Sequence, residues 1–270
     1  LGTITTGGQS TSGGYNWVVH AERVTNRFYG LNVKADADNF DLNKFGMNDN
    51  LIINTWQTIW NVGGNETYAT GNTIDRISSS NAADNQEITI EGHTLGANGF
   101  TFLIQNVTLN GQTPVAIGTP LARVSKGFNS NGIVYAGTIY VFESGGTVVA
   151  GVPQDVPKIH LQMLAEDQES NKCVGTMSRE DVMFVTGINC FANKKSTGQI
   201  DFQFQVREYN KIFRTTFRCS SASTGSNAVI RFEPYLIVPP NADFRVRANP
   251  GSNNMSCEAS LNTLLASVIP

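Results

Sequence analysis

Charge is what this chain is shortest of. Asp, Glu, Lys and Arg make up 15% of its 270 residues, against about a quarter in ordinary globular domains. The formal net charge is −3, which excludes a general nucleic-acid coat, since that needs a broad basic field. No apolar run approaches the roughly 20 residues required to span a bilayer. The first residues lack a basic region followed by an apolar stretch, so no signal peptide is expected. Metal-binding and nucleophile patterns are missing too. The four cysteines (Cys173, Cys190, Cys219 and Cys257) form no C-x-x-C pair, which argues against a zinc knuckle or redox motif. Cys190, Cys219 and Cys257 sit among alternating apolar residues and read as buried free thiols, as in a protein assembled in a reducing cytoplasm.

The three histidines, His20, His93 and His160, stand alone in unlike contexts. With no H-E-x-x-H or similar spacing, they read as surface or hydrogen-bonded residues and not as zinc ligands. Gly127-Phe-Asn-Ser130-Asn-Gly132 has the wrong spacing for a nucleophile elbow and reads as a loop. Asp36-Ala-Asp38-Asn-Phe-Asp41 opens like a calcium loop, but Asp41 and Met47 occupy the positions that require Gly and a bidentate Glu. It is therefore an acidic turn. Glu166-Asp-Gln-Glu169 is an acidic loop with no opposing acid to make a catalytic pair.

Turn formers and aromatics fill the space that charge leaves. The chain has 26 Gly and 15 Phe, and that many aromatics at so small a net charge sets disorder aside. Gly, Ser, Thr and Asn favour turns and strand surfaces. Residues 1–60 differ from the remainder: a Gly-interrupted Ser/Thr stretch leads to Tyr15-Asn-Trp17-Val-Val19. Further on, Asn50–Trp60 fits a helical face and a strand equally well.

From about Gly63 a period of two takes over. Gln86–Glu91 alternates as a half-buried strand should. Phe100–Ile104 and Val107–Leu109 follow, and Asn110-Gly111 predicts a tight hairpin turn with Val115–Ile117 returning. Ile133–Phe142 and Thr147–Val149, split by Ser144-Gly-Gly146, suggest a second hairpin. Gly151–Pro157 reads as a linker. Beyond it lies the strongest pattern: Ile200, Phe202, Phe204 and Val206 alternate with polar partners. After a turn at Glu208–Lys211, Phe213, Thr215, Phe217 and Cys219 alternate in their turn. Val182–Ile188, Val229–Phe232, Tyr235–Val238, Phe244–Ala248 and Ser256–Leu261 add strands. Short strands with one apolar face and turn residues between them make a sandwich or jelly roll.

Arg207, Arg214, Arg218, Arg245 and Arg247 all fall on the outward phase of these strands. If the strands share a sheet they form a basic face, suited to an acidic partner or a neighbouring subunit because guanidinium forks bind carboxylates. The alternative is a solvated face paired with Glu208, Asp243 and Glu258. Trp17, Trp56 and Trp60 are candidate interface anchors, with core packing as the alternative for Trp56 and Trp60.

Several motifs resemble, in order, a family of virion structural proteins from marine tailed bacteriophages of cyanophage and pelagiphage type. They are Thr58-Ile-Trp60-Asn-Val-Gly63-Gly64, Ile77-Ser-Ser-Ser80-Asn-Ala-Ala-Asp84 and Asn106-Val-Thr-Leu109-Asn-Gly-Gln-Thr113-Pro-Val115. The last is Leu236-Ile-Val-Pro239-Pro-Asn-Ala-Asp-Phe244-Arg-Val-Arg247-Ala. The resemblance runs over roughly residues 55–268 and implies a particle component without catalytic residues, located in the head decoration, a head fibre or the tail.

The expectation is thus an all-β chain: a docking segment over 1–60, a small β-domain over 61–152 and a β-sandwich over 153–270. It would assemble as a homo-oligomer on a virion in the host cytoplasm, against major capsid or tail proteins. No cofactor, metal, nucleic acid or membrane is expected. A receptor- or glycan-binding module, using Tyr135, Tyr140 and Tyr209, is the other reading.

Overall fold

The computed structural model describes residues 33–34, 44–194, 198–222, 227–253 and 255–268. Three strands come first: β1 (Val33–Lys34), β2 (Lys44–Leu51) and β3 (Gln57–Thr58). A middle group follows with β4 (Ile74–Ser79), β5 (Glu87–Gly96), β6 (Gly99–Thr108), β7 (Val115–Leu121), β8 (Arg123–Asn129) and β9 (Ile139–Glu143). It continues through β10 (Val148–Val149), β11 (Val152–Pro153) and β12 (Ile159–Met163). The last group is β13 (Val174–Thr176), β14 (Asp181–Lys194), β15 (Gln199–Glu208), β16 (Arg214–Ala222), β17 (Asn227–Val238), β18 (Ala242–Pro250) and β19 (Met255–Val268). The only helical element among the described residues is a single turn at Val156–Lys158. The protein is all-β.

These strands make two β-sandwiches, one inserted in the other. The outer sandwich packs the sheet β1-β19-β14-β17, with β2 also on β19, against the sheet β13-β18-β15-β16, with β3 also on β18. The inserted sandwich packs β12-β9-β4-β7 against β6-β5-β8. Alternation explains both. Phe202 and Phe204 of β15 and Phe244 of β18 point inward and are wholly buried against Met183, Val185 and Cys190 of β14 and Leu261 of β19. Each buried Phe stabilises by about 2 kcal/mol. The second core gathers Ile74, Ile77, Ile88, Ile90, Ile117, Leu161 and Met163. Cys173, Cys190 and Cys257 are buried free thiols, and Cys219 is a half-buried one.

The segment boundaries fall elsewhere than the composition suggests. β2 and β3, expected in the docking segment, pair with β19 and β18 and so belong to the outer sandwich. β12, expected in the C-terminal sandwich, pairs with β9 in the inserted one. Residues 151–157 are no free linker. Gly151 packs so closely on Ser79 that a Cβ would lie 1.8 Å from its carbonyl oxygen, and Ser78 Oγ donates to Gly151 O at 2.7 Å.

Asn110-Gly111 is not a hairpin turn either. β6 pairs with β5 through Gly96 and Gly99, whereas β7 crosses to the other sheet and pairs with β4. Gly111, at φ +55°, fits there because a Cβ would lie 2.4 Å from Ala82 O. Nearby, the buried Asp84 carboxylate accepts from Ser79 Oγ at 2.5 Å and from the backbone N–H of Ala136 and Gly137. Likewise β10 pairs with β11 and not with β9, whose neighbours are β12 and β4.

The chain leaves and re-enters the outer sandwich through one narrow neck. Trp60 bridges to Lys172, and Cys173 N donates to Ile59 O at 3.0 Å. Lys172 Nζ, almost fully buried, donates to Glu66 Oε1 at 2.5 Å, Val124 O at 2.8 Å and His160 O at 2.9 Å. Beside the neck, Arg123 of β8 grips Asp243 of β18 with Nε on Oδ1 at 2.9 Å and Nη2 on Oδ2 at 3.2 Å. Arg207 of β15 donates to the same Oδ2 at 2.9 Å, and Thr176 Oγ1 donates to Oδ1 at 2.7 Å. Asp243 has no exposed surface. Removing one partner of such a buried, fully paired charge costs about 3–5 kcal/mol. Asp243→Ala should therefore lower the unfolding free energy by about 3–5 kcal/mol and split the urea transition into two. A single transition shifted by under about 1 kcal/mol would refute that role.

His93 lies at the same junction, edge-on to Phe102 with 5.4 Å between ring centroids. Burial, and then the cations of Lys44 and Arg123, push its pKa down to about 4. The unfolded imidazole titrates near 6.5. Between those values the unfolded chain takes up a proton that the folded chain refuses, so stability falls as the pH drops from about 6.5 to about 4. His93→Gln should flatten this slope by up to about 1.4 kcal/mol per pH unit, read from urea melts across that range.

Candidate partner-docking site

The candidate site is the outer face of the sheet β13-β18-β15-β16. Its floor follows from register. Gln203 of β15 pairs with Arg218 of β16 on one side and Arg247 of β18 on the other. The next outward row is Thr215, Gln205 and Arg245. The structure thus brings Arg207, Arg218, Arg245 and Arg247 onto one face, as alternation predicts.

Arg214 does not join them. The register shifts between Phe204 and Gln205, so that Thr216 is passed over and Arg214 pairs with Val206. An extra residue at a β-bulge reverses the phase of whatever follows it. Arg214 therefore leaves on the opposite side of the sheet, in solvent. The same shift carries Phe213 to the outer face, where its ring lies 3.9 Å from the Arg245 guanidinium and 4.5 Å from that of Arg207.

The four clustered arginines differ in their partners. Arg207 is held by Asp243 and stacks 4.1 Å over Tyr68. Arg218, Arg245 and Arg247 contact no carboxylate within ion-pair distance among the described residues. Arg245 Nε donates to Gln205 Oε1 at 2.9 Å, and Arg247 Nη2 donates to Trp56 O at 2.7 Å. The Gln203 amide sits between the Arg218 guanidinium and the Gln205 amide. Arg247 Nε is buried without a hydrogen-bond partner among the described residues. Burial, then repulsion from Arg245, pulls Arg247 down to about 10, and burial lowers Arg245 as well.

Two glutamines form the floor, at 4% and 7% exposure for Gln203 and Gln205. They read as the polar phase of a solvated strand, because nothing in the local pattern shows that Tyr68 and Phe213 fold over this face. Trp56 is half-buried, its ring 5.4 Å from Arg218 and 5.9 Å from Arg247. Trp60 is an element of the neck. It is 2% exposed, and its Nε1 donates to Gly63 O at 2.9 Å, so it is no surface anchor. Trp17 and His20, like the acidic turn Asp36–Asp41, lie outside the described residues. Among the glycan-platform tyrosines, Tyr135 is buried with its hydroxyl donating to Leu164 O at 3.2 Å, and Tyr209 packs edge-on to Phe100.

A second charged surface lies on the inserted sandwich. The loop after β12 carries Glu166 and Glu169 in solvent, with Asp167 half-exposed. Glu169 pairs with Lys126 at 3.3 Å, and Asp167 Oδ2 accepts from Asn171 Nδ2 at 2.6 Å. Partial burial, then crowding by Glu166, Asp49 and Glu169, raises the Asp167 carboxyl.

No family model matches the chain, and no curated protein does. Among solved structures, it is similar to the infectious bursal virus derived T=1 particle, at 8% identity and TM-score 0.22, over 93% of this chain and 75% of that one. It is also similar to the infectious bursal disease virus VP2 subviral particle, at 10% identity and TM-score 0.20, over 93% and 78%. For the Gx strain of that virus the values are 9% and 0.24, over 88% and 74%. At such scores these viral-particle likenesses carry no argument.

Desolvated like charges without acids are an arrangement that lowers the stability of the isolated chain. Arg247→Met keeps the packed stem, removes the unpaired Nε and relieves Arg245. It should raise the unfolding free energy by about 0.5–1 kcal/mol in urea titration. A loss of that size would show the face to be internally balanced.

Proposed function

We propose that the chain is a non-enzymatic structural subunit of a virus particle, of the decoration or fibre kind found on tailed phages, working as a homo-oligomer against capsid or tail proteins. The observation that carries the proposal is the locked double sandwich, in which buried charges hold two β-bodies together. Across the two bodies Asp243 is shared by Arg123, Arg207 and Thr176, and within the inserted body Lys172 is committed to Glu66 while His160 Nε2 lies 2.9 Å from Glu143 Oε1. Groups that could do acid–base chemistry are thereby spent on rigidity, which suits a particle component. The ordered motifs between Thr58 and Ala248 support the same reading by resemblance.

The glycan-binding alternative loses one of its three platform residues, since Tyr135 is buried, while Tyr209 is half-exposed and packs edge-on to Phe100. The test is cryo-electron microscopy of intact virions labelled with antibody against residues 198–268. Label over the capsid is the expected result. Label at the tail alone would move the chain to adsorption, and absence of label on accessible particles would overturn the proposal.

A further inference from the structure

We infer that the arginine face receives the acidic loop Glu166–Glu169 of a second copy of this chain, making a head-to-tail contact between subunits. The inference rests on the homo-oligomeric part of the proposed function and supplies its two surfaces.

The arginine side is built for carboxylates. Arg245 and Arg247 stand two residues apart on β18, a spacing of about 7 Å along a strand. Arg218 faces them across the buried Gln203. Their guanidinium forks suit bidentate contact with carboxylates, yet none is supplied from the described residues of the same chain. The half-buried Arg247 guanidinium, its charge un-neutralised and repelled by Arg245, marks where an anion would be favoured. The rings that border the face are already engaged: Trp56 lies by Arg218 and Arg247, and Phe213 lies against Arg245 and Arg207. Guanidiniums already lie over these rings, which leaves a sugar less of them to stack on. The chemistry therefore favours protein carboxylates over a glycan.

The acidic side is a complement within the same sequence. Glu166, Asp167 and Glu169 share one turn, pinned by Asn129 N donating to Gln168 O at 2.9 Å and by the Phe128–Glu169 bridge. Lys126 offsets only part of that charge. Each patch repels itself, and contact between copies relieves both at once. The two patches belong to different sandwiches, so the contact pairs unlike surfaces. Such a contact is heterologous, and it closes a ring or extends a row according to the rotation between subunits.

The test is sedimentation velocity on the purified full chain, at about 50 mM and about 500 mM salt. Self-association should appear at low salt and weaken at high salt. Arg245→Glu with Arg247→Glu, or Glu166→Arg with Glu169→Arg, should each weaken association by roughly tenfold or more. Mixing the two variants should restore it, because each brings one intact surface and opposite charges meet only in that pairing. Circular dichroism confirms folding, and Arg247→Met provides a milder variant should the double reversal unfold.

A monomer at both salt concentrations, or association that both reversals leave unchanged, would overturn the inference. Loss of association without rescue on mixing would do so as well. Retained binding of a carboxylated or sulfated polysaccharide by monomeric chain, lost in the arginine variant, would assign the face to a glycan instead. Solution behaviour is read apart from virion labelling, so failure here leaves the particle location standing.

Discussion

A carboxylate with no exposed surface, shared between two guanidiniums from different β-bodies, is the constraint on which this architecture hangs. Placed there without partners, Asp243 would carry an uncompensated desolvation cost of several kcal/mol. Its negative charge is tolerable because Arg123 approaches from the inserted sandwich and Arg207 from the neighbouring strand. The converse also holds. Arg123 is buried, and it completes its remaining donors on the carbonyls of Ala69 and Ala122. Neither sandwich has a satisfied surface at this point without the other. The junction therefore behaves as interior and not as an interface between loosely tethered domains, which ordinarily move against one another.

That arrangement also sets the character of the arginine face. Asp243 is the acid that the outward rows of β15 and β18 contain near the neck, and Arg207 takes it. Arg245 and Arg247, further along β18, are left to amides, a backbone carbonyl and aromatic rings. Rings attract guanidiniums through their quadrupoles but leave the net charge in place. A face that holds its cations without neutralising them keeps its attraction for anions beyond the first layer of atoms. This is why electrostatics and not apolar area is the quantity to follow in seeking its partner.

Much of the outer sandwich was legible in the residues. The alternation of Ile200, Phe202, Phe204 and Val206 places their side chains in the core, and the same logic places Phe244 and Val246. It also assembles Arg207, Arg218, Arg245 and Arg247 correctly on the opposite face. Arg214 and Phe213 escaped because a bulge of one residue leaves no mark in a polar stretch of Arg, Thr and Thr. Pairing across long separations was harder still. Gln57–Thr58 carries no local sign that it pairs with Arg247 and Ala248 some 190 residues away. Asn110-Gly111 has the composition of a hairpin, yet its geometry was decided by Ala82 and Asp84 packing around it. Turn chemistry identifies where the chain can bend, while tertiary contacts decide which strand it meets next.

The neck has a consequence for modularity. Ile59 and Cys173 are hydrogen-bonded neighbours, so the whole inserted body departs and returns at essentially one point. To the outer sandwich, more than a hundred residues are topologically one long loop. Loop-closure entropy grows only logarithmically with length, so such a loop imposes little more on its host than a short one. Lineages carrying the outer sandwich could in this way exchange the guest for another body, or shed it, while keeping the host's strand order. The neck is a natural graft point, and the Arg123–Asp243 contact is the graft's compatibility requirement: a replacement must bring its own cation to that carboxylate.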